Sequence, residues 1–151
     1  MKKTILVAVI ATSTMFTSCK KDKVKGCMDP ISISYNADAE EDDGSCHYAG
    51  TGGNTTIIAF PKHHSKLTRP YHAYVKFNSQ DFPGANPSAY DLDLIADTTQ
   101  NSIEIANLKP GKYYIYMTAY DTTVSAPVKG GIPYVLSQSS GQLVLTVPVT
   151  E

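Results

Sequence analysis

Three kinds of side chain fall at spacings that can do chemistry: carboxylates crowded into one short stretch, a histidine pair with a third close by, and tyrosines alternating along one segment. Asp38, Glu40, Glu41, Asp42 and Asp43 lie within six residues, and such a crowd repels itself unless cations screen or bridge it. Ca²⁺ takes about 6–8 oxygen ligands from carboxylates, amide oxygens and carbonyls, and Asp29, Asn36, Asp38, Asp42 and Asp43 can supply several. The segment is not an EF-hand: counted from Asp38, Gly44 falls at position 7 instead of 6, and Ala49 stands where the bidentate Glu belongs. Water and screening salt satisfy exposed acids equally well, so a metal-free solvated loop stands beside the calcium reading. His63, His64 and His72, with a carboxylate such as Asp121 or Asp91, can present imidazoles to Cu²⁺ or Zn²⁺. Neighbours on an extended strand point to opposite faces, so His63 and His64 share a metal only if the chain turns there. Lys62 and Ser65 suit such a loop, and plain surface histidines are the alternative. If Ile115 and Met117 face a core, Tyr114, Tyr116 and Tyr120 form an outer stripe able to bind a sugar or a partner surface. Trp is absent, so any stacking rests on tyrosine, which is also an ordinary strand residue.

Catalytic signatures are lacking in the sequence. There is no Gly-x-Ser-x-Gly elbow, no His-Glu-x-x-His pair and no phosphate-cradling glycine loop, and the chain is read as a non-enzyme.

The first residues read as a targeting signal. Lys2 and Lys3 give a positive start and Ile5–Ala11 a short apolar run, far below the ~20 residues that cross a bilayer as a helix. Thr12-Ser13-Thr14-Met15-Phe16-Thr17-Ser18-Cys19 then resembles a bacterial lipoprotein signal cut before its cysteine, with Phe16 departing from the usual Leu. The resemblance implies removal of residues 1–18, lipidation of Cys19 and a palmitate-bearing membrane anchor. Three cysteines leave one over when two pair. Acylation accounts for Cys19, and Cys27 and Cys46 are free to form a disulfide in an oxidising compartment. Cleavage takes two of the 13 basic residues and no acid, leaving 11 against 14 and a net charge of −3. Nucleic acid is an unsuitable partner for such a chain.

Residues 19–26 carry Lys20, Lys21, Asp22, Lys23 and Lys25 and read as a solvated tether. Residues 27–48 form an acidic, cysteine-bounded module. Gly26-Cys27, Asp29-Pro30, Tyr35-Asn36, Ala39 and Asp42-Asp43-Gly44-Ser45-Cys46 resemble a GC-x-D-P…N…D-D-G-S-C module of surface and secreted proteins in Bacteroidota-type bacteria, with Ile33 and Ser34 departing from it. Residues 49–54, AGTGGN, read as a flexible linker, and residues 55–151 as one domain.

In that domain the helix period is missing and the strand period recurs. Strands are predicted over Thr55–Phe60, Tyr71–Asn78, Asp91–Ala96, Ser102–Asn107, Lys112–Tyr120, Ile132–Ser137 and Gln142–Val149. Pro83-Gly84, Pro110-Gly111, Gly130-Gly131 and Ser139-Ser140-Gly141 mark turns. About seven short strands favour an all-β antiparallel Greek-key sandwich. Ile105–Tyr114, with Leu108-Lys109-Pro110-Gly111-Lys112-Tyr113 at its centre, resembles the corner of transthyretin-like and carboxypeptidase-regulatory-like domains, in which a buried Leu plugs the sandwich end. His63-His64, Phe82-Pro83-Gly84, Tyr90-Asp91 and Gly130-Gly131-Ile132-Pro133 resemble positions in a group of small Bacteroidota-type lipoproteins, a resemblance that implies no activity.

The expectation is a non-catalytic interaction module at the cell envelope, lipid-anchored to what is read as the outer membrane, with an envelope protein or a glycan as partner. The second expectation is a Cu- or Zn-binding envelope lipoprotein using His63, His64 and His72.

Overall fold

A computed structural model describes residues 21–97 and 99–151. The expected signal segment and Cys19 lie outside the described residues.

The chain forms β1 (Lys25–Gly26), β2 (Glu41–Asp42), β3 (Thr51–His63), β4 (Lys66–Leu67), β5 (Arg69–Phe77), β6 (Leu92–Ile95), β7 (Ile103–Leu108), β8 (Gly111–Asp121), β9 (Ala126–Leu136) and β10 (Ser140–Pro148), with a 3₁₀ turn over Pro87–Ala89. β3 to β10 make two four-stranded sheets. One runs β10-β3-β4 with β7 also paired to β3, and the other runs β6-β5-β8-β9. This is an all-β sandwich.

Period-2 patterning puts the core between the sheets. In β8, Tyr113, Ile115, Met117 and Ala119 are buried, and they meet Ala73 and Val75 of β5, Ile57 and Ala59 of β3, and Ile103, Ile105 and Leu108 of β7. The β7–β8 corner turns as its Leu-x-Pro-Gly-x-Tyr sequence suggests. Leu108 is fully buried, and the Tyr113 hydroxyl donates back to the Lys109 carbonyl while accepting from Gly50 N–H at 3.1 Å. That hydroxyl fastens the corner to the chain entering β3. On the far side the sheets are stitched where Lys129 and Thr150 exchange backbone hydrogen bonds of 2.7 and 2.9 Å.

Two expectations are corrected. The sandwich is not wholly antiparallel: β3 and β10 pair in parallel from Asn54/Ser140 to Lys62/Pro148. Alternation dictates which face of a strand is buried but not its direction. β3 and β10 are separated by the whole of the intervening sandwich, and only a long connection permits parallel pairing. The stretch 49–54 is not a free hinge, because Thr51–Asn54 begin β3. Ala49 N–H donates to the Asn78 side-chain oxygen at 2.8 Å, and Lys109 N–H to the Gly50 carbonyl at 2.9 Å. Gly53 here serves close approach instead of looseness. A Cβ on Gly111 would stand 2.3 Å from the Ala49 backbone, and one on Gly53 2.0 Å from the Leu108 carbonyl oxygen.

The N-terminal module is clasped by a Cys27–Cys46 disulfide and by the parallel β1–β2 pair. Buried Ser32 ties its two halves, donating to the His47 carbonyl at 3.0 Å and accepting from His47 N–H at 2.9 Å. The module rests on the sandwich through Ala49 and through Lys112, whose ammonium donates to the Pro30 carbonyl at 2.6 Å.

Candidate functional site

Three acidic residues of the module, Asp29, Asp42 and Asp43, are occupied by local turns, and Glu41 pairs with Lys25 at 3.2 Å. Asp29 accepts from Ile31 N–H at 2.9 Å and from the Tyr48 hydroxyl at 2.8 Å, and these bonds, the backbone one foremost, hold its carboxyl below the ordinary range. Asn36 accepts from Asp38 N–H at 3.0 Å, Asp42 from Gly44 N–H at 3.2 Å, and Asp43 from Ser45 N–H at 3.0 Å. The Ser45 side chain and backbone likewise depress the Asp43 carboxyl. Asp and Asn side chains bonding a backbone N–H two residues on make Asx turns, which account for these residue types without an ion. Asp29, Asn36, Asp38, Asp42 and Asp43 do not converge on one point: among the described residues no group of three or more His, Cys, Asp or Glu side chains is placed to hold a metal.

The histidines divide between the two sheets. His63 ends β3 and is buried, and its Nδ1 bonds Asp121 Oδ2 of β8 at 2.8 Å. A carboxylate only accepts, so Nδ1 carries the proton. Asp121 Oδ1 accepts from Thr123 N–H at 2.7 Å. The pair thus joins the two sheets at one end of the sandwich. His64 and Ser65 adopt φ of 43° and 69°, which turns the chain tightly into β4. The turn lays the His64 ring on His63, centroids 3.9 Å apart and planes 34° apart. With His63 Nδ1 taken by Asp121, the two histidines belong to no group of three or more His, Cys, Asp or Glu side chains placed to hold a metal among the described residues. His72 is elsewhere: its Nδ1 bonds Asp93 at 2.7 Å, and its ring stacks on Tyr74 with centroids 5.3 Å apart. The expected approach of His72 to His63 presumed that β3 and β5 pair, but the chain crosses to the other sheet after β4. Asp91 is also committed, accepting from Phe77 N–H at 2.6 Å and from Lys76 at 3.3 Å.

Asp121 gives the His63 pair a measurable signature. The hydrogen bond from His63, then that from Thr123 N–H, lower its carboxyl from an ordinary 3.8 to about 2. A depressed carboxylate contributes stability that is complete above its unfolded value and lost as pH falls through its folded value. Between about pH 4 and pH 2 the chain is therefore expected to lose stability more steeply than Asp121→Asn. Urea melts followed by circular dichroism at stepped pH check this, and parallel pH profiles for the two proteins would contradict it.

The tyrosine stripe is largely covered. Tyr114 and Tyr116 do face away from the main core, but with Tyr74 they form a second, smaller one. The 79–91 loop folds over them. Phe82 stands 5.8 Å from Tyr114 and 5.4 Å from Tyr116, Tyr90 stands 5.9 Å from Tyr116, and the Tyr90 hydroxyl donates to Gly84 carbonyl at 2.8 Å. Burial raises the Tyr114 and Tyr116 hydroxyls above the ordinary tyrosine range. Tyr120 lies outside this cover, beside Tyr71, with ring centroids 6.5 Å apart. Tyr71 was not singled out by alternation, because a register shift between Pro70 and His72 displaces it from the regular pattern.

Comparison with protein-family models, with curated proteins and with solved structures finds no match for this chain. What fold and geometry define is a disulfide-clasped all-β sandwich whose crowded polar side chains are mostly engaged with one another.

Proposed function

We propose that the chain is an exported lipoprotein, anchored through Cys19 to the cell envelope, whose sandwich acts as a non-catalytic binding module. One observation supports this most: Cys27 and Cys46 are joined to each other, so Cys19 is the odd cysteine of three. A disulfide persists in an oxidising compartment, and the segment before Cys19 has the character of an export signal ending at that residue. Val24, five residues after Cys19, accepts Glu40 N–H at 2.8 Å, so five residues of chain length bound the reach from a Cys19 anchor to the module at about 18 Å. The outer membrane is the membrane proposed.

Fractionation of the native cell tests the anchor. The chain is expected in the membrane pellet, resisting high salt and released by detergent, with Cys19→Ser soluble after export. Wild-type chain in the soluble fraction would contradict the proposal. Metal binding through three imidazoles is the less favoured reading, because His72 is held by Asp93 on the other sheet from His63 and His64.

A further inference from the structure

The outer face of the β6-β5-β8-β9 sheet carries a groove of about 660 Å³ at the end away from the covered tyrosines, with Tyr71, His72, Ile95, Thr118, Tyr120 and Thr122 among its lining. We infer that this groove is a carbohydrate site in which Tyr71 and Tyr120 stack on the ring faces of a polysaccharide. The inference rests on the binding-module reading above and names its ligand class.

The groove owes its shape to a β-bulge. Pro70 pairs with Ala119 and His72 with Thr118, so Tyr71 is an extra residue on β5 with no partner on β8. Bulges re-aim side chains. This one turns Tyr71 to the side of Tyr120, where the ring is 47% exposed. Ala96 N–H fixes the bulge by donating to the Tyr71 carbonyl at 2.9 Å. The two ring planes are tilted 36° to each other. Ile95, 77% exposed, extends the apolar wall.

The lining selects the ligand. Its floor is the face of β5 and β8, the two inner strands of the sheet, which pair with β6, β9 and each other, so a ligand lying on that floor meets side chains instead of a strand edge. Recognition must come from side chains. Two aromatic faces suit the C–H face of a pyranose, and the hydroxyls of Thr118 and Thr122 suit its equatorial hydroxyls. His72 adds an oriented polar group: Nδ1 is held by Asp93, which leaves Nε2 for a ligand. Arg69 also lines the groove and no carboxylate does, so nothing there favours a cationic partner, and neutral and acidic sugars both suit its charge. Its volume falls in the range of about 300–1,000 Å³ typical of small-ligand sites.

Affinity electrophoresis of the full-length chain, purified in detergent, through gels cast with xylan, mannan, starch or pectate tests the inference. At least one polysaccharide is expected to retard the wild type. Tyr71→Ala and Tyr120→Ala should each weaken retardation about tenfold, with Tyr71→Phe retaining it because the ring face is kept. Near-UV circular dichroism verifies that the variants are folded. No retardation on any of the four gels overturns the inference. So does undiminished retardation of Tyr71→Ala, or displacement of the bound polysaccharide by a proline-rich peptide. The membrane fractionation above is scored independently, so failure here leaves the anchoring proposal standing.

Discussion

Leu108→Ala is expected to lower the free energy of unfolding by about 4 kcal/mol, the upper part of the range for a fully buried leucine. Leu108 ends β7 and lies opposite both Thr51 and Thr55 of β3, at the irregular point of that pairing. It closes the sandwich end where the chain turns through Pro110-Gly111 into β8. Truncation removes four carbons' worth of transfer and packing energy less what alanine keeps, and adds a cavity. The walls are poorly able to collapse into that cavity, because Gly53 and Gly111 already hold neighbouring backbones in direct contact. The melting temperature should fall by roughly 10–20 °C. Val144→Ala, at a side chain 74% exposed on β10, should stay within about 0.5 kcal/mol of wild type. Denaturant melts of both variants decide the matter. A cost below about 1.5 kcal/mol for Leu108→Ala would mean that the corner is not plugged by this side chain.

Removing the disulfide is the second large perturbation. Cys27 and Cys46 are 19 residues apart, and closing such a loop stabilises the folded form by about 3 kcal/mol in the chain-entropy model. The module's other ties are internal hydrogen bonds, among them Ser32 to His47, Ser34 to the Ser45 carbonyl, Tyr48 to Asp29 and Asn36 N–H to the Cys27 carbonyl, with the short β1–β2 pair. Among the described residues the bond from module to sandwich is that of Lys112 to Pro30. The loss should therefore be local. In Cys27→Ser/Cys46→Ser, amide exchange between Gly26 and Tyr48 is expected to speed up by about two orders of magnitude, the equivalent of that energy. Amides of Ile115 and Met117 in the sandwich core should be unchanged. Equal acceleration throughout the chain would show that module and sandwich unfold as one unit.

The sequence was most readable where one face of a strand is buried and the other is not. β8 is the clearest case: Tyr113, Ile115, Met117 and Ala119 face the core as alternation dictates, and the Leu108–Tyr113 corner takes the form its residues suggest. Legibility failed where a feature depends on which strand lies beside which. Nothing local tells β10 to run parallel to β3, or sends the chain across to the second sheet after β4, and so the grouping of His72 with His63 was lost. Composition misled at AGTGGN, where glycine permits tight contact with the β7–β8 corner and is not a sign of mobility. The tyrosines of β8 show a third limit. Their outward direction was correct, but a loop centred on Phe82 and Tyr90 covers Tyr114 and Tyr116, and a long-range cover of this kind leaves no mark in the strand's own pattern. The acids at 38–43 look like a cation site when counted, but once placed Asp42 and Asp43 cap turns and Glu41 pairs with Lys25. Asp91, Asp93 and Asp121 are claimed by hydrogen bonds that only the folded chain brings together.

The most direct test of the proposed anchor is the mass of the N-terminal peptide of the chain isolated from membranes of the native cell, after proteolysis at the lysines that follow Cys19. The account predicts a peptide that begins at Cys19 and carries the added mass of a diacylglyceryl thioether. A peptide retaining Met1, or one with an unmodified Cys19 thiol, would contradict it.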